Sequence, residues 1–490
     1  MARKTGLELL RPFKDIEMAS PISTLLDLDR RCGTSLMGYL TTLACCAAIA
    51  IGWWAFQPEI VFRMPDSTSY LRFDDYRGAG YPMLLDITKL ITGTHNSIPL
   101  VQHLLLFSGI TYLGLVVQKT YKSLFCGLAI AFLIGGNIEL VRYNFTLLTE
   151  SLFFTSTMLL LGCILGCKTP SPTRFIICGA IVAWLILIKP VGWAFVALPI
   201  LLIVNQTLNG RTFLPLAIST LIGFLLVTGV GSAYRYHHFG VLSPASFVGN
   251  QIIGKLIYAN FNYSELDQPV AGKFWLDNTA QFRELNQSLF SELDEKLLFS
   301  LNIYDYMRFT QEKALFKVLD TPNMSDRQAQ HEFAMSIIKL DPMAYVRDIA
   351  LQVYSLWTIA ILQTQDSAKR YMKKVETAQQ TVPAEVTIYT TDGSSSIVIT
   401  VLKLVMIGLA VISGVSIIFS LYRILYTRRS LDPVFQNLFI IASTIWSYFF
   451  LVALFQAALL RYILAAWPML TVFGLLFLLF GLRLFSQKQV

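Results

Sequence analysis

The amino-acid sequence predicts an all-α protein that crosses a membrane many times. Apolar residues make up 54% of the chain and charged residues only 14%, whereas about a quarter of a typical soluble domain is charged. Apolar runs of roughly 15–25 residues recur from end to end, and about 20 such residues cross the hydrocarbon core as a helix. Lipid offers backbone groups no hydrogen-bond partner, so these runs must be helical. The alternating pattern of a β-barrel is absent.

About ten runs qualify as transmembrane helices. The basic N-terminal segment 1–35 precedes the first, and the connections near 119–122, 168–174 and 211 are also basic. Positive residues collect on the cytoplasmic side, so the net charge of +8 reflects topology rather than nucleic-acid binding and puts both termini inside. The predicted spans are 36–56, 99–117, 123–141, 147–167, 174–188, 191–206, 212–232, 397–421, 435–457 and 462–482.

The chain divides into an N-terminal transmembrane module (36–232), a segment 233–396 and C-terminal helices (397–490). The segment 233–396 is predicted to be a mainly α extracytoplasmic domain, with helices near 278–301 and 327–340 and a strand-and-turn connector over 377–396. Residues 345–361 are apolar but contain Arg347 and Asp348. They are interpreted as an interfacial or packed helix, because counting them as a span would place later basic residues outside.

The first outer loop, 57–98, holds the most informative stretch. Met64 to Pro82 reads MPDSTSYLRFDDYRGAGYP and carries charges of both signs beside the membrane. Such charges are costly unless they are solvated or used. The predicted topology places further charged residues on the same face: Glu139, Arg142, Glu150, Lys189, Arg235, His237, His238 and Arg461. Carboxylates can act as general bases, and guanidinium or ammonium groups can hold phosphate.

Five motifs occur in order along the whole chain: PDSTSY, YRGAGYP, LLTESLFF, IKPVGW and RYILAAWP. This series resembles the membrane glycosyltransferases of the C superfamily (GT-C), and within it the bacterial enzymes similar to protein O-mannosyltransferases and lipid A aminoarabinose transferases. The chain has Ala79-Gly80-Tyr81-Pro82 where relatives more usually have Pro-Gly-Tyr-Pro. Its acidic pair, Asp74–Asp75, comes after Asp66 rather than early in the loop.

The resemblance implies transfer of a sugar from a polyprenyl-phosphate carrier to an acceptor hydroxyl at the outer face of a bacterial cytoplasmic membrane, with inversion. Asp66 would be the general base. Metal and cofactor are expected to be unnecessary, although Asp74–Asp75 could hold a metal, and no partner subunit is implied. The expected donor-phosphate ligands are Arg77, Tyr81, Lys189, Arg461 and Tyr462, and the expected acceptor-binding or supporting residues are Tyr70, Asp74, Asp75, Arg142 and Glu150.

Each of these residues also has a purely structural interpretation. Asp66 follows proline and precedes serine, which is typical of a helix N-cap. Glu150 could pair with Arg142, whereas Lys189 and Arg461 could extend from helix ends towards water. The acidic pair 74–75 could be solvated or paired with a neighbouring arginine, and Arg77 could be only an ion-pair partner. His237 and His238 fit the membrane interface, and His103 fits a helix–helix hydrogen bond.

Two other functions stay open from the sequence. A polysaccharide polymerase or ligase would use lipid-diphosphate donors in a similar many-span architecture. A transporter or flippase of lipid-linked glycans would need charges near mid-membrane or an internal repeat, and neither is evident. The seven cysteines lie in spans or beside cytoplasmic loops and predict neither disulfides nor a metal site.

Overall fold

The structure is a computed structural model. Within the residues that it describes, 88% are helical and none forms a strand, so the all-α prediction is confirmed. The described residues are 21–58, 61–64, 66–75, 77–166, 171–208, 210–243, 252, 326–359, 396–427, 433–455 and 460–487.

We number the α-helices in chain order. Short 3-10 turns at His95–Ser97, Arg142–Phe145 and Pro190–Val196 lead into or follow some of them. The helices are α1 Pro21–Thr34, α2 Leu36–Ala55, α3 Ser67–Leu71, α4 Gly80–Thr92, α5 Ile98–Tyr121, α6 Leu124–Gly135, α7 Ile138–Val141, α8 Glu150–Leu165, α9 Pro172–Ile188, α10 Ala197–Leu208, α11 Phe213–Phe239, α12 Asp326–Leu340, α13 Pro342–Thr358, α14 Ser396–Tyr422, α15 Pro433–Phe455 and α16 Leu460–Gln487.

Among the residues that the structure describes, seven helical segments are long and apolar enough to cross a membrane by themselves. The protein is therefore a multi-pass membrane protein, as predicted. α2, α11 and α14 expose most of their apolar surface, which suits contact with lipid, whereas α15 and α16 are largely buried in the core. The seven segments are Leu36–Ala55, His95–Tyr121, Pro190–Leu208, Phe213–Phe239, Ile397–Tyr426, Val434–Phe455 and Leu460–Leu482.

The segment predicted to span the membrane over 123–141 is bent rather than one continuous helix. α6 ends at Gly135, and the chain bends by 61° before the segment Ile138–Phe145. Gly136 and Asn137 explain the break, because the Asn137 side chain accepts a hydrogen bond from the Leu140 amide and starts a new helical turn.

The predicted spans 147–167 and 174–188 correspond to the shorter apolar helices α8, of 16 residues, and α9, of 17 residues. α8 is buried along nearly its whole length. The backbones of α9 and α11 approach so closely that only glycine fits at two positions. A Cβ on Gly179 would lie 2.0 Å from the Thr220 carbonyl oxygen, and a Cβ on Gly223 would lie 1.9 Å from the Ile176 carbonyl oxygen. Small residues allow this close approach between helices in lipid.

Residues 345–358 of the apolar stretch 345–361 lie in α13, which is not among the described helices that are apolar and long enough to span. It packs against α14 and α15, burying Leu356 and Trp357, and the Tyr345 hydroxyl donates to the Leu454 carbonyl. The described part of this stretch is therefore a helix packed against its neighbours, which agrees with one of the two interpretations that the sequence left open. The helix predicted near 327–340 is also present as α12. Residues 1–20, the helix predicted at 278–301 and residues 377–395 of the predicted connector lie outside the described residues.

α11 extends beyond its predicted end at residue 232. It runs to Phe239, and Gly240 ends it with a φ of 68°, a left-handed conformation that glycine adopts without strain. Tyr234, Arg235 and the two histidines therefore lie in the last turns of a long membrane helix rather than at the start of the outer domain.

Candidate functional site

Five charged side chains meet at one end of the helix bundle, and we call them the charged cluster: Asp66, Arg77, Glu150, Lys189 and Arg461. They come from distant parts of the chain. Asp66 and Arg77 flank α3 in the first outer loop, Glu150 begins α8, Lys189 follows α9, and Arg461 lies in the first turn of α16. The structure thus brings together residues that the sequence placed on one membrane face.

A short backbone pairing draws the first outer loop against the start of α8. The Phe62 amide donates to the Phe145 carbonyl at 2.9 Å, and the Leu147 amide donates back to the Phe62 carbonyl at 3.1 Å. Ser67 adds a hydrogen bond from its hydroxyl to the Leu147 carbonyl at 2.8 Å. Asp66 is consequently held next to the turn that leads into Glu150.

Gln102, on α5, holds the turn that leads into α8 through hydrogen bonds to its backbone. Its amide nitrogen donates to the carbonyls of Asn144 and Thr146, both at 2.9 Å. Its carbonyl oxygen accepts a hydrogen bond of 2.9 Å from the Tyr81 hydroxyl. Tyr81, expected to bind donor phosphate, is fully buried with its hydroxyl occupied by Gln102, so its observed contact is a supporting one.

The Asp66 carboxylate is shared by two arginines. Its Oδ1 lies 2.5 Å from Arg77 Nη2, and its Oδ2 lies 3.3 Å from Arg461 Nη1. Asp66 occupies the N-cap position of α3, but its side chain makes no cap hydrogen bond. The capping interpretation is therefore wrong for the side chain. The three side chains keep exposures of 22%, 14% and 24%, so solvent or a ligand can reach them.

Arg77 is oriented by several neighbours. Its Nε donates to the Ser69 hydroxyl at 2.8 Å and its Nη1 to the Tyr70 hydroxyl at 3.1 Å. Next to it, Gly78 lies so close to the end of α9 that a Cβ would be 2.2 Å from the Leu187 carbonyl oxygen. The glycine in the YRGAGYP motif therefore lets the arginine loop approach the helix end that carries Lys189.

Glu150 and Lys189 form the buried part of the cluster. Glu150 Oε1 lies 2.7 Å from Lys189 Nζ, with side-chain exposures of only 2% and 14%. The expected alternative, a pair between Glu150 and Arg142, is wrong. Arg142 pairs with Glu139 at 2.9 Å in an exposed contact three residues apart, because the 3-10 turn that starts at Arg142 separates it from α8.

The cluster contains three cations and two carboxylates, which leaves one positive charge over. Asp66 and Arg461 interact electrostatically with both members of the Glu150–Lys189 pair, so all the groups share one field. Tyr462 lies between cations: Lys189 Nζ is 5.7 Å and Arg461 Cζ 5.4 Å from the centre of its ring. Such contacts are favourable and hold the cations in place. An anionic group is the ligand that this excess of charge would accept.

Tyr70 packs against Arg77 at the edge of the charged cluster. Burial raises the pKa of its phenol to about 12, with the Arg77 guanidinium acting in the opposite direction. The phenol therefore stays protonated at neutral pH and cannot serve as a base. The Arg77 guanidinium also lies 4.2 Å from the centre of the Tyr70 ring.

Several predicted site residues lie outside the cluster or act through the backbone. Asp74 and Asp75 form the turn before Arg77: the Asp74 carbonyl accepts from the Arg77 amide, and the Asp75 side chain is exposed. His238 packs on Phe73. His103 Nε2 lies 3.0 Å from the Ala50 carbonyl of α2, which confirms the predicted helix–helix hydrogen bond. The possible metal role of the acidic pair stays a prediction.

Arg235 was placed on the outer face by the sequence analysis but was given no role in the site. It is 1% exposed, and its guanidinium donates to the carbonyls of Arg77 and, at 2.7 Å, of Asp75. It therefore fixes the backbone that carries Arg77. A signal was present, because an arginine in the last turns of an apolar membrane helix marks a functional position by default.

A cavity of about 720 Å³ opens on the same membrane face, beside the pairing of 62 with 145. Its walls combine aromatic and small polar groups, including Trp54, Phe145, Gln57 and Asn96. A cavity of this size is typical of small-molecule sites.

No family model, no curated protein and no solved structure matches the chain. The fold and the charged cluster define the class: a multi-pass helical membrane protein with an ionic cluster at one end of its bundle. Any narrower function must be argued from the site itself, since one fold hosts many activities.

Proposed function

We propose that this protein is a glycosyltransferase of the GT-C type that moves a sugar from a polyprenyl-phosphate donor to an acceptor hydroxyl. In this proposal all ten predicted segments belong to the membrane part. The cluster faces the exterior of a bacterial cytoplasmic membrane. The acceptor is a lipid, a glycan or a protein, and the donor carries no second phosphate.

The observation that carries the proposal is the sharing of Asp66 between Arg77 and Arg461. A carboxylate held between two guanidinium groups is a weak base. It becomes a stronger base when another anion pairs with those guanidinium groups instead. A donor phosphate that draws these cations towards itself would free the Asp66 carboxylate at the moment when the donor is bound. Guanidinium groups are well suited to this exchange, because their planar donors match phosphate oxygens as well as carboxylates.

The chemistry then follows from the cluster. Asp66 removes the proton from the acceptor hydroxyl, and that oxygen attacks the anomeric carbon from the face opposite the phosphate. The bond between the anomeric carbon and the phosphate oxygen breaks, and the polyprenyl phosphate leaves with the electron pair. Lys189, Arg461 and Arg77 stabilise the charge that develops on the leaving phosphate, as preorganised cations do in many active sites.

Glu150 has a supporting part in this scheme. Since it is almost fully buried against Lys189, it holds the ammonium group in place rather than meeting an acceptor. The polyprenyl chain would lie along the lipid-facing helices. The residues of the cluster can neutralise a monophosphate, so the expectation that no metal is needed is part of the proposal.

The substitution Asp66→Asn tests the proposal. It keeps the shape of the side chain but removes the base, so transfer from a panel of polyprenyl-phosphate sugars should fall by about 10²–10⁴-fold. Binding of polyprenyl monophosphate to the purified variant should be unchanged or tighter, because a competing carboxylate charge is gone. Glu139→Gln, an exposed acid outside the cluster, is the matched control. Retained transfer, or weaker binding of the phosphate, would contradict the role of Asp66.

The donor can be distinguished in the same assay. Offering polyprenyl monophosphate and diphosphate sugars separately should give transfer from the monophosphate donor alone. Activity restricted to the diphosphate would instead establish the polymerase or ligase alternative.

A further inference from the structure

A second cavity lies at the opposite end of the bundle from the charged cluster. It has a volume of about 390 Å³ and is enclosed by the last turns of α5 and α8 and the first turn of α9. This volume falls within the range of about 300–1,000 Å³ that is typical of small-molecule sites. Its wall includes Tyr112, Lys119, Thr120, Gly162, Gly166 and Arg174.

The cavity is positively charged. Lys119 and Arg174 line it, and the lining residues described include no carboxylate. The lysine is exposed and the arginine half-buried, so two cations in the wall of the cavity remain accessible to a ligand.

The cavity is also lined by hydroxyl groups, and hydrogen bonds hold its side chains in place. The Tyr112 hydroxyl lies 3.6 Å from the Cys163 sulfur, and the Thr120 hydroxyl donates to the Leu165 carbonyl at 3.3 Å. Arg174 donates from Nη1 to the Gly166 carbonyl, which fixes its guanidinium while other N–H groups of the fork remain to bind a ligand. Gly162 leaves room for the Tyr112 ring, since a Cβ there would lie 2.3 Å from it.

We propose that this cavity binds the phosphate headgroup of an anionic phospholipid from the membrane leaflet opposite the charged cluster. Lys119 and Arg174 pair with the phosphate, and the hydroxyls of Tyr112 and Thr120 contact the polar part of the headgroup. A lipid is the fitting source of the phosphate, because Val116 and Ile177 continue the wall with apolar surface and Tyr112 is exposed on the helix surface. Basic hollows between membrane helices are suited to such headgroups.

Native mass spectrometry of the full-length purified protein, titrated with phosphatidylglycerol or phosphatidylcholine, tests the proposal. Phosphatidylglycerol should bind more tightly than phosphatidylcholine. Lys119→Gln and Arg174→Gln should each weaken phosphatidylglycerol binding by about fivefold. Arg211→Gln, which removes an exposed cation on the same face outside the cavity, should leave binding unchanged.

Three results would overturn the proposal: equal binding of both lipids, unchanged binding in Lys119→Gln, or displacement of the lipid by soluble glycerol 3-phosphate at similar concentration. The last would assign the cavity to a free phosphate ester. Lys119→Gln keeps the test decisive if Arg174→Gln fails to fold, because Lys119 is exposed and its loss does not disturb the frame around Gly166.

Discussion

The two carboxylates of the charged cluster have opposite surroundings. Asp66 is 22% exposed and divided between two arginines, one at 2.5 Å and one at 3.3 Å. Glu150 is 2% exposed and paired with a single lysine at 2.7 Å. Both lie at the start of a helix, where negative charge is favoured by the helix dipole. Their difference therefore comes from burial and from the number of cations, not from the local helix.

The comparison separates a reactive role from a structural one. An accessible carboxylate whose partners can move to another anion can exchange its proton with a substrate. A buried carboxylate in one tight pair cannot leave its partner without a large penalty, since breaking a buried pair by removing one member costs about 3–5 kcal/mol. Asp66 thus has the surroundings that the proposed base requires, whereas the surroundings of Glu150 suit a residue that holds Lys189 in place.

The largest expected effect is on the buried pair. Lys189→Met should lower the free energy of unfolding by about 3–5 kcal/mol, because it leaves the Glu150 charge buried without its lysine. Adding Glu150→Gln should restore most of that stability without restoring donor binding. Thermal unfolding of the single and double variants, with the donor KM of those that fold, measures both effects.

Lys89→Met is the matched control for this cycle, since Lys89 is an exposed lysine on the same membrane face. If Glu150→Gln gave no recovery in the double variant, the pair would not be the source of the loss. If the double variant bound donor normally, Lys189 would have no part in holding phosphate.

A smaller effect is expected at Arg235, which acts on Asp66 only through Arg77. Arg235→Met removes two charge-assisted hydrogen bonds to the loop carbonyls, worth about 1.5–3 kcal/mol each. We expect faster amide exchange over residues 66–78 and a fall in turnover of about tenfold or more. Arg72→Met, an exposed arginine in the same loop, should change neither quantity. Normal exchange in the Arg235 variant would show that the loop is held by other contacts.

The sequence was sufficient to predict which residues share a membrane face. Apolar runs and basic loops placed Asp66, Lys189 and Arg461 at the same end of the bundle, because topology depends on summed hydropathy and charge. The pairing of individual side chains depends on tertiary packing, which composition does not encode. Glu150 pairs with Lys189, 39 residues away in the sequence, whereas Arg142, which is nearer in the sequence, pairs with Glu139.

Two further features of the structure have identifiable signals in the sequence. The break after α6 coincides with Gly135-Gly136-Asn137, a helix-stopping and capping combination inside an otherwise apolar run. A count of hydropathy alone passes over it. Arg235 was grouped with the outer domain because the end of α11 was placed at 232, seven residues before its actual end at Phe239.

The smallest effect is expected at Tyr70, and it sharpens the contrast between base and support. Tyr70→Phe loses one hydrogen bond from Arg77 but keeps the ring beneath the guanidinium, so turnover should change by less than about tenfold. Because burial raises the pKa of the phenol to about 12, the pH–rate profile between pH 5 and 9 should keep its shape. The stability linked to this proton is present below about pH 10 and is lost as the pH rises towards 12, and the phenylalanine variant should lack that alkaline loss. Tyr236→Phe, at an exposed position of α11, is the control. A loss beyond a hundredfold in Tyr70→Phe, or a changed profile, would place the phenol in the chemistry and weaken the assignment of Asp66 as the only base.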